Sequence, residues 1–237
     1  MKPYLALKNA TGSDEPVFFS VSEKRAIDID DGRAIGELTN NNCWATPQGW
    51  ILVRDGLSST TYLLDPHNRT DDRNKISLPH LPEDNLSTYS TCLLSEYPDP
   101  AQLGSASCVL LLVETMAPVI WYCRLDDKDW TRHEYDIGTL NLGGGCTEKL
   151  VISPITACRG KFYFNGGGFE ELGVLEFCPA PVFSTITIRD AITVPPGLAK
   201  VIMVESEQEL YMVSLTSSYN LNVVHQFSVH KMDFVKE

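Results

Sequence analysis

No stretch of this 237-residue chain approaches the roughly 20 consecutive apolar residues that a membrane-crossing helix needs, so nothing in it reads as spanning a membrane. The apolar run inside its opening MKPYLALKNATGSDEP is also too short for the core of a signal peptide. Positive charge is scarce: 19 Lys and Arg stand against 31 Asp and Glu, the formal net charge is −12, and no basic run occurs. Nucleic-acid binding relies on many basic side chains displacing counterions from phosphates, so nucleic acid and anionic membrane are poor expectations as partners. A basic protein surface is the better one. The seven cysteines, Cys43, Cys92, Cys108, Cys123, Cys146, Cys158 and Cys178, are odd in number, widely spaced and without a CxxC pair. Several sit in apolar runs, where cysteine behaves as a small hydrophobe; free buried thiols in a reducing compartment, cytoplasmic or nuclear, are expected. Helical periodicity is missing, because no segment of about a dozen residues keeps i, i+3, i+4, i+7 apolar spacing without a breaker.

What the chain has in quantity is strands. Four stretches repeat one plan of apolar strand, short polar turn and second apolar strand: Gly49–Pro66, Cys108–Asp127, Gly160–Pro179 and Ala199–Thr216. Short β-branched and aromatic runs bounded by Gly, Pro, Asn and Asp surround them. They fall into groups recurring roughly every 40–60 residues, with four short strands in each complete group, the pattern of β-propeller blades. Such a meander buries too little apolar surface to stand alone, and stacking blades around an axis buries both of its faces. That would explain why Val109–Val113 is continuously apolar rather than alternating. The expectation is an all-β chain, a single β-propeller domain of four-stranded antiparallel blades over residues 1–237, with about four to five blades in an incomplete ring. The blades are placed at residues 3–30, 43–79, 88–138, 149–189 and 198–235. A sandwich or Greek-key barrel is the competing arrangement. Gly166-Gly167-Gly168 reads as a hairpin turn and Gly143-Gly144-Gly145 as a connection between blades.

Several landmarks, in order, carry a family resemblance: Pro3 and Leu5, Phe18-Phe19-Ser20, Gly49-Trp50, Leu63-Leu64-Asp65-Pro66, Leu78-Pro79 with Leu81-Pro82, Val204-Glu205-Ser206, and Met232-Asp233-Phe234. The chain resembles the plant F-box-associated KIB-type β-propeller family over nearly its whole length. The resemblance implies a propeller that often follows an F-box docked on a cullin-type ubiquitin ligase, with the propeller holding the substrate. Two departures are expected. Strands begin at Tyr4, leaving no room for an F-box, and the chain stops just after HKMDF, where family members continue with further strands. A propeller hides its sheet edges by closing its ring, so self-association through an unclosed blade is expected.

Catalytic signatures do not appear: there is no HExxH, no GxSxG, no P-loop and no GxGxxG between a strand and a helix. His67, His80, His133, His225 and His230 are scattered, and the last two, five apart on one strand, point to opposite faces. Asp126-Asp127-Lys128-Asp129 lacks the glycine and terminal glutamate of an EF-hand and reads as a solvated hairpin tip, as do Asp30-Asp31, Asp71-Asp72 and Glu170-Glu171. Cys158-Arg159-Gly160 places a thiol beside a cation, but no motif supplies a His or acid to activate it. No catalytic, cofactor-binding or metal-binding residue is expected. Trp44 and Trp130, at strand beginnings, are the candidate partner-binding residues, since Trp is enriched at binding hot spots. The alternative is that they wedge between blades, as expected for Trp50 and Trp121. The function expected is a non-enzymatic protein-binding module, its partner a ubiquitin-ligase client. The alternatives are a propeller hydrolase or lyase with an axial site, which needs Asp, Glu, His or Tyr converging at the axis, and a truncated gene remnant with little activity.

Overall fold

The computed structural model describes residues 4–8, 16–20, 25–27, 41–58, 60–66, 74–82, 86–87, 89–98, 108–165, 170–188, 198–217 and 224–234. Among them there is no α-helix, and every sheet is antiparallel between sequence neighbours. The first sheet is β1 (Tyr4–Lys8), β2 (Pro16–Ser20) and β3 (Arg25–Ile27). The second is β4 (Asn41–Ala45), β5 (Ile51–Asp55), β6 (Thr61–Leu64) and β7 (Lys75–Leu78). The third is β8 (Thr91–Leu94), β9 (Val109–Val113), β10 (Val119–Arg124) and β11 (Thr131–Glu134). A two-stranded hairpin follows, β12 (Thr139–Gly143) and β13 (Cys146–Lys149). Then come β14 (Ile155–Cys158), β15 (Lys161–Asn165), β16 (Glu171–Phe177) and β17 (Pro181–Thr187), and last β18 (Leu198–Ser206), β19 (Glu209–Ser217) and β20 (Val224–Lys231).

The repeated strand–turn–strand unit is the paired hairpin β5–β6, β9–β10, β15–β16 and β18–β19. Its apolar arms follow from burial on two faces. In β9, Leu110 and Leu112 face a core shared with β4–β7, while Val109, Leu111 and Val113 face a second core shared with β14–β17. In β10 the same alternation sends Trp121 and Cys123 one way and Ile120 and Tyr122 the other. A third core joins Tyr163, Leu172 and Val174 of the β14–β17 sheet to Val201, Met203, Leu210 and Met212 of the last sheet. Each fully buried Leu or Phe contributes about 1.5–3 kcal/mol. The first strands β4, β8, β14 and β18 lie one against the next, so each of these sheets begins at the inside and is wound outward.

The expected fold class holds: the described residues are all-β, in three four-stranded and two three-stranded antiparallel sheets and one hairpin, and the sheets from β4–β7 to β18–β20, the hairpin apart, stack through apolar faces. Several details differ. Gly143-Gly144-Gly145 is not a plain connection but the turn of the β12–β13 hairpin, and all three glycines have positive φ (85, 63 and 83°). Such a turn demands residues without a Cβ penalty. Glu171 belongs to β16 rather than to a loop tip. Gly166-Gly167-Gly168, His67, Asp30-Asp31 and Asp71-Asp72 lie outside the described residues.

Candidate functional site

The sheets share two ends. At one, Gln48 in the β4–β5 turn clamps the backbone of Leu94 on β8, donating from Nε2 to its carbonyl (3.0 Å) and accepting from its N–H (3.4 Å). At that same end, Gly160 in the β14–β15 turn lies against Glu96, and Arg159 Nε donates to the Gln208 carbonyl in the β18–β19 turn (2.7 Å). The opposite end, here the crossover end, carries the connections between sheets and the turns β5–β6 and β9–β10. At the root of the β11-to-β14 crossover, the Ile152 N–H donates to the Tyr135 hydroxyl (2.8 Å).

Trp44 and Trp130 are not surface anchors. They are 2% and 7% exposed and lie in the core between β4–β7 and β8–β11. The Trp44 indole N–H donates to the Ser87 carbonyl (3.0 Å) and that of Trp130 to the Pro79 carbonyl (2.9 Å). Both therefore pin the crossover from β7 to β8 while their rings fill the gap between sheets, which corrects the partner-binding expectation in favour of the wedge. Trp50 and Trp121 are buried in the same core, and Trp121 donates to Glu114 Oε1 (2.9 Å).

The Cys158-Arg159-Gly160 triplet is a hairpin turn whose last two residues have positive φ (51 and 77°). The arginine does not serve the thiol: its guanidinium pairs with Glu209 (3.0 Å). Burial pushes the Cys158 thiol up, Glu205 adds to the rise, and Arg159 only partly opposes it. Burial likewise raises Cys43 to about 11 and lifts Cys92, Cys108 and Cys123. None of the seven cysteines is in a disulfide; Cys146 and Cys178 are exposed. In the turn after β10, Asp127 Oδ2 accepts from the Arg124 N–H (2.8 Å), so this carboxylate closes a turn. Among the described residues no three His, Cys, Asp or Glu side chains gather in a way that could hold a metal ion.

The most exposed large apolar side chains lie at the crossover end. Leu57 in the β5–β6 turn is 94% exposed, Met116 in the β9–β10 turn 90%, and Tyr89, just before β8, is nearly as open. Asp55 presents Leu57: its Oδ1 accepts from the N–H groups of Leu57 (2.7 Å) and Ser58 (2.9 Å). These bonds, that to Ser58 foremost, hold its carboxyl below the usual carboxylate range. Sequence reasoning passed over these residues, although a lone Leu or Met inside a polar turn was a visible signal.

Sheets that stack in chain order through apolar faces, with their first strands side by side, define a β-propeller. More narrowly, the family model of the KIB1-4 beta-propeller matches residues 18–237, and the chain belongs to that family. No curated protein matches it.

Proposed function

We propose that this chain works by holding a protein partner at the crossover end of its blades rather than by catalysis. The observation that carries the reading is the display of Leu57, Tyr89 and Met116 there, on two adjacent blades. Large apolar side chains held out at one end of the sheets offer contact points to a partner, and the ordered turn around Leu57 lowers the cost of binding. Family membership supports a propeller module. The resemblance to F-box-associated members supports the finer reading, in which the partner is a client of a cullin-type ubiquitin ligase. The net charge of −12 favours a partner with a basic surface. The buried free thiols support residence in a reducing compartment, cytoplasm or nucleus.

Proximity labelling in the native cell tests this, with the wild-type chain and a Leu57→Ser, Met116→Ser double variant compared. The expected result is loss of specifically labelled proteins with the variant at unchanged melting temperature, since neither side chain is packed. Recovery of the same proteins by both chains would overturn it.

A further inference from the structure

We propose that the β12–β13 hairpin is a strand-pairing site, whose open β12 edge takes up an extended segment of a partner protein that alternates apolar and basic side chains. The inference rests on the protein-binding reading and names the element and the partner chemistry. The hairpin is additional to the four-strand plan, inserted at the crossover end between β11 and β14. Every residue of both strands is exposed. An isolated two-stranded ribbon is marginal in water, so this one is held at its root. The Leu150 N–H donates to the Gly138 carbonyl (2.9 Å), and Lys149 pairs with Glu134 (3.1 Å). Beyond that root both faces and both outer edges are unpaired by any described strand.

The β12 edge has only some of the usual protection. Natural edge strands are blunted by lysine, proline, inward charge or bulges, and β12 has the last alone, a register shift between Asn141 and Gly143. β12 reads Thr-Leu-Asn-Leu-Gly, with neither charge nor proline, whereas β13 carries Glu148 and Lys149. Leu140 and Leu142 are 52% and 59% exposed, and Leu142 sits where the register shifts between Asn141 and Gly143. Strand addition satisfies such an edge with main-chain hydrogen bonds and lets alternate side chains of the incoming segment cover the leucines. The surrounding charge selects that segment. Glu148 lies directly across from Leu140. Asp136 stands at the root and Glu170 and Glu171 at the same end of the following sheet, all exposed, while Lys149 is occupied by Glu134. An uncharged strand edge on a hairpin with exposed carboxylates at its root and across it favours apolar residues interleaved with Lys or Arg.

The test uses the full chain and two amidated octapeptide probes, one alternating valine with lysine and one alternating valine with glutamate. Binding is read by hydrogen exchange and fluorescence anisotropy at about 0.3 M salt, where long-range attraction is screened. The lysine peptide is expected to slow exchange of the amides of residues 139–149 at least tenfold, and the glutamate peptide to leave them unchanged. A Leu140→Ser, Leu142→Ser variant is expected to lose at least tenfold in affinity. Protection elsewhere but not in 139–149, or undiminished binding by the hairpin variant, would overturn the proposal. So would self-association abolished by the hairpin variant, which would make a second copy the occupant. If cellular partners are lost with the Leu57 variant but kept with the hairpin variant, the protein-binding reading stands and the strand-pairing one falls.

Discussion

A single indole at the β7-to-β8 crossover does two jobs, one apolar and one polar. Trp130 is buried against the Trp44 cluster, and its N–H satisfies the Pro79 carbonyl. Trp130→Phe keeps most of the volume but strands that acceptor, and about 1–2 kcal/mol of stability is expected to go. Trp130→Ala adds a cavity, and about 3–5 kcal/mol is expected, measured by urea unfolding. Asp55 sets a second expectation at this scale. Its carboxyl is held low by the Ser58 and Leu57 N–H groups, so its contribution is present above the ordinary carboxylate value, about 3.9, and fades as pH falls through the lowered folded-state value. Amide exchange at Leu57 and Ser58, corrected for its intrinsic pH dependence, is expected to lose protection in that acid window. Asp55→Asn should lose the charge-assisted part of that protection at neutral pH.

Among the elements, β16 offers the sharpest case. Gly173 lies opposite Phe164, and a Cβ there would run into the ring. Phe164 is itself packed in the core between β8–β11 and β14–β17, so the ring has nowhere to retreat. Gly173→Ala is expected to cost about 1–3 kcal/mol, read as a lowered melting temperature, and a compensating Phe164→Leu should recover part of it. The hairpins at the centre of each sheet were legible in the sequence because burial on two faces leaves continuous apolar runs such as Val109–Val113. The β12–β13 hairpin was not, because its exposed strands carry only Leu140 and Leu142 against a polar background. Its glycine triplet was the available signal, and it fitted a connection equally well. For Trp44 and Trp130 the sequence showed large apolar residues at strand beginnings. Which way they faced depended on carbonyls at Ser87 and Pro79, in a crossover that periodicity does not position.

Across the whole molecule the apolar cores run from sheet to sheet, and the last sheet has one face left over. Leu210, Met212 and Ser214 point to the neighbouring core, and the alternate residues Tyr211, Val213 and Leu215 point away. Val213 pairs with Ile202 and Val229, and Leu215 with Phe227, so apolar side chains continue across three strands. Phe227 is 70% exposed and Val229 is exposed beside it. If the expected self-association occurs, this is the face with the means for it. Phe227→Thr with Val229→Thr is expected to reduce concentration-dependent association in sedimentation velocity while leaving thermal stability within about 0.5 kcal/mol, because neither side chain is packed. An unchanged association profile would place the contact elsewhere.

The inward position of each first strand has one more consequence, for synthesis. β8 lies against β4, β14 against β8 and β18 against β14. For these sheets, a chain leaving the ribosome need not wait for a distant segment. The β4–β7 sheet is complete before β8 emerges, and each later sheet meets a surface that already exists. The sheets from β4 to β20 can be assembled in the order in which they are translated, each finished layer serving as the template for the next.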